Sequence, residues 1–148
     1  MNSKSFPKRV RFFIADDIRS DGPKPMIIGL LVDDFVGIEI PAKQPEPTKD
    51  APIMLQSLAI LASFIDCNGP FEAETSLYQP DGTALFEHQK LDGGINTDKA
   101  TGKNNINFIV KFMPFGIPQF GSYKFSIKLD DKEYEYSFKI GQAHSSKQ

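Results

Sequence analysis

The chain has 148 residues, and its 17 Lys and Arg residues against 19 Asp and Glu residues give a formal net charge of −2. A chain of this length can form one domain that buries roughly 70% of its unfolded surface without disulfides or metals. The balanced charge excludes a domain-wide basic surface for a phosphate backbone, so we expect no nucleic-acid partner.

Cysteine content and the length of the apolar runs indicate the compartment. Cys67 is the one cysteine, so the chain forms no intrachain disulfide, which fits the reducing cytoplasm. The N-terminal stretch MNSKSFPKRVRFFIADD lacks the apolar run and cleavage site of a secretory signal. The apolar-rich run that starts at Ile53 contains Gln56 and is shorter than the about 20 residues that span a bilayer. We expect a cytoplasmic protein without membrane contact.

Two strands are predicted near the N-terminus. RVRFFIAD and MIIGLLV are apolar at consecutive positions, which is typical of strands covered on both faces. Asp16 and Asp17 follow the first run, and Asp33 and Asp34 follow the second. Because aspartate accepts hydrogen bonds from turn N–H groups, we interpret both pairs as strand ends. The next run, VGIEI, alternates and predicts a third strand.

The segment IMLQSLAILASFID, residues 53–66, supports two predictions. Its apolar residues form a helical stripe made of Met54, Leu55, Leu58, Leu61, Ala62 and Ile65. Alternate residues from Ser57 to Ile65 also form an acceptable strand. Periodicity therefore leaves helix and strand open here. The preceding PAKQPEPTKDAP contains four prolines, which predict an extended surface loop.

The C-terminal half alternates more clearly. FEAETSLY and NINFIVKF each place apolar residues on one face. In SYKFSIKLDDKEYEYSFKI the alternation stops at Asp130, Asp131 and Lys132 and then resumes, which predicts a β-hairpin with one buried face. Short strands separated by Gly, Pro, Asn and Asp describe a sandwich or a barrel.

Several motifs carry a family resemblance. FIADDIR and GPKPMIIGLL are followed by LAILASFID and FEAETSLYQPDG, and then by VKFMPFGIPQFGSYKFSIKLDDKEY. Over residues 12–140 the chain resembles an uncharacterised bacterial family of single-domain β-sandwich proteins, with an Ala-Asp strand end, a Gly-Lys turn, an Asp-Gly turn and a closing Gly-x-Tyr-x-Phe hairpin. The matching positions are Ala15, Asp16, Lys24, Gly29, Asp81, Gly82, Gly121, Tyr123 and Phe125. The chain departs from the pattern at Pro25 and in the proline-rich loop after Ile40.

The resemblance implies a fold and no catalytic residue. We expect an all-β, immunoglobulin-like antiparallel β-sandwich of about seven to eight strands, with a strand at residues 58–65. The expected organisation is a flexible N-terminus over residues 1–8, the sandwich domain over 9–141 and a disordered tail over 142–148. The polar, Gly-rich segment 90–105 is the expected mobile loop.

Asp16 and Asp17 are the candidate metal ligands. Carboxylates from the end loops of a sandwich can converge on Ca²⁺, which needs about six to eight oxygen ligands. If the first two strands are antiparallel, however, the two aspartate pairs lie at opposite ends of the sheet and cannot share an ion. We favour turn chemistry, keep a calcium-dependent binding module as the alternative, and expect no cofactor.

Few residues are available for catalysis. His88 and His144 are the only histidines, and His144 falls in the expected disordered tail. Cys67 follows Asp66 and has no neighbouring cation to favour the thiolate. The Gly-containing segments lack the GxxxxGK[ST] spacing of a phosphate loop. We expect no enzyme, and a hydrolase that uses two carboxylates is the remaining catalytic alternative.

The segment FMPFGIPQFG, residues 112–121, carries more apolar area than a turn requires, and its two prolines interrupt strand pairing. It either seals the open end of the sandwich, which we favour, or exposes Phe115, Ile117 and Phe120 as a partner-binding surface. The function hypothesis is therefore a non-enzymatic binding or structural module with an unknown protein partner. Self-association as a homo-oligomer is an open alternative.

Overall fold

The computed structural model describes residues 5–19, 26–31, 33–40, 44–90 and 105–143. Eleven strands and no helix occur in these ranges, so the predicted all-β class is confirmed. Accordingly, no described residue belongs to a helix with the length and hydropathy needed to cross a membrane. The strands are β1 (Arg9–Arg19), β2 (Met26–Leu30), β3 (Phe35–Ile38), β4 (Ile53–Leu55), β5 (Leu58–Ile65), β6 (Ala73–Tyr78), β7 (Ala84–Lys90), β8 (Ile106–Phe112), β9 (Phe115–Ile117), β10 (Gly121–Leu129) and β11 (Lys132–Gln142).

These strands form three sheets. A four-stranded sheet has the order β2-β1-β5-β8, and a five-stranded sheet has the order β3-β11-β10-β6-β7. Strands β4 and β9 form a separate two-stranded ribbon. Neighbouring strands are antiparallel, except that β3 runs parallel to β11. The edge strands of the two larger sheets are therefore β2 and β8, and β3 and β7.

The two larger sheets pack face to face over one core. Phe12 of β1 stacks on Tyr136 of β11 with ring centroids 5.2 Å apart, and it meets Phe125 of β10 edge-on at 6.4 Å. Phe64 of β5 contacts Tyr134 of β11 at 5.7 Å. Fully buried side chains come from both sheets and include Ile14, Ile60, Phe64, Leu77, Tyr123, Phe125 and Ile127. The arrangement is a two-layer β-sandwich.

Residues 58–65 form the strand β5, so the helix alternative for this segment is wrong. β5 lies between β1 and β8, and it is covered on both faces. Ile60 and Phe64 belong to the main core, and Ala59 and Leu61 belong to a second buried cluster. A central strand needs apolar residues at consecutive positions. Apolar residues at consecutive positions also include those that form a helical stripe, so the periodicity of this segment does not distinguish a strand from a helix.

Strands β10 and β11 form the predicted hairpin. Leu129 pairs with Lys132, so Asp130 and Asp131 are the two turn residues. Asp130 has a φ of 53°, a left-handed conformation that aspartate tolerates in short hairpin turns. Its backbone N–H donates to the carbonyl of Glu72 at 2.8 Å, which ties the turn to the start of the neighbouring strand β6.

Tyr123 connects the hairpin to the chain segment between β9 and β10. Its hydroxyl donates to the backbone carbonyl of Gln119 at 2.6 Å. Its ring stacks on Phe138 of β11 at 5.8 Å and contacts Phe115 of β9 at 6.4 Å. Burial is the main cause that raises the pKa of Tyr123 to about 12. One side chain thus joins the hairpin, the ribbon and the segment that links them.

The structure has more strands than the seven to eight that the sequence predicts. β7 is an edge strand with mostly polar, exposed side chains, so its alternation of apolar residues is weak. β4 and β9 have only three residues each. β9 lies between the two prolines of the segment that is predicted to be a loop, and each proline remains outside the paired residues. Residues 44–52 of the proline-rich segment form no strand, as predicted.

Residues before β1 also form backbone hydrogen bonds with the sandwich. Ser5 and Asn68 exchange two backbone hydrogen bonds of 2.8 Å, and the N–H of Lys8 donates to the carbonyl of Ile65 at 3.0 Å. Backbone hydrogen bonds therefore hold Ser5 and Lys8 against the end of β5 and the residues that follow it.

The C-terminal strand also extends slightly past the predicted boundary at residue 141. β11 ends at Gln142, and the N–H of Ala143 donates to the carbonyl of Ile38 at 2.8 Å. The remaining predictions on the termini and the mobile loop fall on residues 1–4, 91–104 and 144–148, which lie outside the described residues.

Candidate functional site at the edge strand β2

β2 is an exposed, apolar edge of the four-stranded sheet. Its sequence MIIGL contains two β-branched residues, which favour a strand, and it pairs with β1. Within the described part of the chain, no strand pairs with its other side. The side chains of Met26, Ile28 and Leu30 are 59%, 39% and 44% exposed. The prediction that this strand is covered on both faces is wrong, because the face that carries Met26, Ile28 and Leu30 is exposed.

Gly29 makes room for the side chain of Asp16 on the neighbouring strand. Its φ of 70° lies in the left-handed region that favours glycine. The carboxylate of Asp16 occupies the space in which a Cβ at position 29 would lie. The hydroxyl of Ser57 donates to the backbone carbonyl of Asp16 at 2.7 Å. Asp16 is therefore held between β2 and the residue that precedes β5.

Asp17 lies opposite Ile28 of β2 and is surrounded by donors. Its Oδ1 accepts a hydrogen bond of 2.8 Å from the N–H of Ile18 and lies 3.3 Å from Lys111 Nζ, and its Oδ2 lies 3.7 Å from Arg19 Nε. Burial acts to raise the pKa of Asp17, but the hydrogen bond and the two cations together lower it. Asp17 is thus an ionised carboxylate with internal partners.

Asp16 and Asp17 lie inside β1, which continues to Arg19, so the prediction that they end the strand is wrong. The space above Gly29 and the cations beside Asp17 allow two adjacent carboxylates within a strand. The described residues contain no group of three or more His, Cys, Asp or Glu side chains that could hold a metal ion. Lys111 and Arg19 would also repel a cation that approached Asp17.

The second aspartate pair forms a turn, as predicted. Asp34 has a φ of 54°, and its backbone carbonyl accepts a hydrogen bond of 2.9 Å from the N–H of Lys139. Its Oδ1 accepts a hydrogen bond of 2.5 Å from the hydroxyl of Tyr136. Burial, together with this carboxylate, raises the pKa of Tyr136. Asp34 therefore fixes the point at which the chain leaves β2 and enters the other sheet as β3.

The candidate partner-binding residues Phe115, Ile117 and Phe120 lie in or against the core. Phe115 and Ile117 are in β9 and are 4% and 0% exposed. Phe120 is partly buried and packs on the same core. This position corresponds to the alternative in which the segment seals the sandwich. Met113, in the same segment, is 67% exposed.

The described residues include one cysteine, Cys67, and one histidine, His88. Burial, with a contribution from Asp66, raises the pKa of the Cys67 thiol, which disfavours the nucleophilic thiolate. His88 lies on the edge strand β7, and its Nδ1 is 2.9 Å from Oε1 of Glu74. His144 lies outside the described residues.

A family model matches residues 10–140, which include nearly the whole sandwich. The chain belongs to a family of unknown function, DUF6941. The resemblance to an uncharacterised single-domain family is therefore confirmed. No curated protein and no solved structure matches the chain. Membership of DUF6941 supplies no activity, so the geometry of the domain carries the functional conclusion.

Met26, Ile28 and Leu30 are candidate site residues of this DUF6941 chain that no local pattern in the sequence indicates. Consecutive apolar residues are expected in a central strand and also occur in an unprotected edge strand. The feature that could have identified β2 as an edge is the order of the strands along the chain. β1 and β2 are consecutive and antiparallel, and the chain then crosses to the other sheet, so β2 receives no second neighbour from the next segment.

Proposed function

We propose that this DUF6941 domain is a non-enzymatic binding module that adds an extended segment of a protein partner to β2. The observation that carries the proposal is the composition of the edge. Met26–Leu30 contains no charged residue and no proline, and the side chains of Met26, Ile28 and Leu30 are exposed. Edge strands present unpaired N–H and C=O groups, which natural proteins commonly block with charges, prolines or bulges. An edge without these features is suited to strand addition.

The other three edges of the two larger sheets support this choice. β7 carries Glu87, His88 and Lys90, and its register with β6 is irregular. β8 exposes Asn107 and Lys111. β3 has only four residues. β7 and β8 carry charged side chains that oppose pairing with another chain, whereas β2 carries none.

We also infer that the sandwich is immunoglobulin-like and that the protein acts in the cytoplasm. Support for the fold comes from β3, which runs parallel to the last strand β11, and from Tyr123, whose hydroxyl reaches a carbonyl four residues earlier. That contact resembles the tyrosine corner of immunoglobulin-like sandwiches. The single, buried thiol of Cys67 fits a reducing compartment.

The surroundings of the reactive side chains support non-enzymatic action. The raised pKa of Cys67 opposes its use as a nucleophile, and His88 already contacts Glu74. The pKa of Asp17 is lowered, which is the opposite of what a general acid at neutral pH requires. These groups have structural partners that account for their positions.

The test compares Ile28→Lys with Leu85→Lys, which places the same charge at a similarly exposed residue of the protected edge β7. Partners captured from the host are purified, and their binding to the chain and to both variants is measured by titration. We expect a partner that slows hydrogen exchange in residues 26–30 and loses at least tenfold in affinity for Ile28→Lys alone. Sedimentation of the chain by itself shows whether the partner is a second copy. Equal affinity for the chain and for Ile28→Lys would overturn the proposal.

A further inference from the structure

In the described part of the chain, the sandwich is open on the side where β7 and β8 approach each other. These are edge strands of different sheets, and a cleft of about 400 Å³ lies between them. Its lining includes Phe86, Gln89, Lys90, Phe108, Val110 and Phe112. The volume falls in the range of roughly 300–1,000 Å³ that is usual for small-molecule sites.

The apolar core reaches the surface in this cleft. Ile60 of the central strand β5 has no exposed area, whereas Val110, its partner on β8, remains partly exposed. Phe108 and Phe112 lie on the same face of β8 as Val110 and are also partly exposed. Phe86 meets Phe112 from β7, with ring centroids 6.1 Å apart. Three aromatic rings and a valine therefore form an apolar wall that solvent can reach.

Polar and cationic side chains complete the lining. They are Thr75, Gln89, Lys90 and Lys111, and among the described residues that line the cleft none is acidic. Lys111 already forms an ion pair with Asp17 at 3.3 Å. The ion pairs found among the described residues do not include Lys90. Lys90 lies opposite Glu74 in the β6–β7 ladder, but the carboxylate of Glu74 contacts His88 instead. Lys90 is thus the lining cation that has no ion pair of its own among the described residues, and an anionic ligand can supply one.

We propose that this cleft binds single-chain amphiphiles with an anionic head group, of the fatty-acid class. The alkyl chain packs along Phe108, Val110 and Phe112, since burial of apolar surface is the main driving force available there. The head group lies at the polar part of the lining, where Lys90 supplies the opposite charge. β8 is the edge opposite β2 in the four-stranded sheet, so this site is independent of the proposed partner site.

Isothermal titration with a series of fatty acids, each below its aggregation concentration, tests the site. From octanoate to dodecanoate we expect the affinity to rise roughly fourfold for each added methylene until the cleft is filled. The Val110→Trp substitution places a large side chain in the cleft and should weaken dodecanoate binding at least tenfold. An unchanged melting temperature is the check that this variant is folded.

A second variant tests the head-group contact and does not depend on the folding of Val110→Trp. Lys90→Gln should weaken dodecanoate several-fold and leave binding of the neutral dodecanol unchanged. Lys139→Gln, on β11 near the far edge of the five-stranded sheet, is the charge-matched control and should bind like the parent chain. Absence of saturable dodecanoate binding, or equal binding by Lys90→Gln and the parent chain, would overturn the proposal.

Discussion

Strands β9 and β2 are both short and apolar, yet their side chains have opposite environments. In β9, Phe115 and Ile117 are buried, because β4 pairs with this strand and the main core packs against it. In β2, Met26, Ile28 and Leu30 are exposed, because they belong to neither hydrophobic cluster of the described residues, although β1 pairs with the strand. Apolar composition therefore does not determine burial. Each strand has one paired neighbour, so burial is determined by what packs against the face of the strand.

The aromatic contacts of Phe115 explain why β9 is fixed on the core. Its ring lies 5.1 Å from the ring of Phe112 and 6.4 Å from that of Tyr123. These partners come from β8 and β10, which belong to the two different sheets. β9 thus seals a gap between the sheets, whereas β2 extends one sheet outward.

Phe115→Ala should give the largest effect on stability. Removal of a buried phenylalanine side chain leaves a cavity and typically costs about 3–5 kcal/mol of the free energy of unfolding. Urea denaturation measures this change. Met113→Ala, at an exposed position of the same segment, is the control and should stay within about 0.5 kcal/mol of the parent chain. Similar values for both variants would show that β9 does not seal the core.

Gly29→Ala should give the next largest effect and shows how β2 is anchored despite its exposure. The left-handed φ of 70° and the carboxylate of Asp16 both oppose a Cβ, so we expect a loss of about 1–3 kcal/mol of stability. Gly82→Ala is the control. The backbone at Gly82 has a φ of 90°, and the added Cβ would lie in open space, so this variant introduces backbone strain without a contact like that between Gly29 and Asp16.

The double variant Asp16→Ala with Gly29→Ala separates the two causes. Removal of the carboxylate should recover the part of the loss that is due to the contact and leave the part that is due to the backbone. Additive losses in the double variant would mean that Asp16 and Gly29 do not interact, and β2 would then need another anchor.

The sequence predicts best those elements whose burial follows their own alternation. β10 and β11 each have one covered face, so apolar and polar residues alternate, and Asp130 and Asp131 mark the turn. β5 is covered on both faces, so its apolar residues do not alternate with polar ones. There the family resemblance is needed to favour a strand over a helix.

The candidate site is less predictable because it depends on contacts between distant segments. The environment of Asp17 is set by Lys111, which β5 separates from β1 in the sheet. The burial of Phe115 depends on β4, which lies far earlier in the chain. No local pattern around these residues contains that information, so the sequence identifies the side chains but not their surroundings.

Tyr123→Phe should have a smaller effect and tests how the segment after β9 is fixed. The lost hydrogen bond to Gln119 typically contributes about 0.5–1.5 kcal/mol. The folded pKa of Tyr123 is about 12, which is above the unfolded value of about 10. Its contribution is therefore fully present below pH 10 and is lost as the pH rises toward 12. Chemical denaturation between pH 8 and 12 should show a weaker alkaline loss for Tyr123→Phe, and parallel pH curves would contradict this account.

Asp17→Asn should give the smallest effect, because the carboxylate is partly exposed and its ion pairs are screened by solvent. Its pKa is lowered in the folded chain, so the stabilisation is present above the unfolded pKa of about 3.9 and is lost as the pH falls below it. The variant should therefore be slightly less stable at pH 7 and should lose less stability on acidification to pH 3. High salt should reduce the difference at pH 7, since it screens Lys111 and Arg19. If the stability of the variant and that of the parent chain fall equally between pH 7 and pH 3, the ion pair between Asp17 of β1 and Lys111 of β8 does not stabilise the fold.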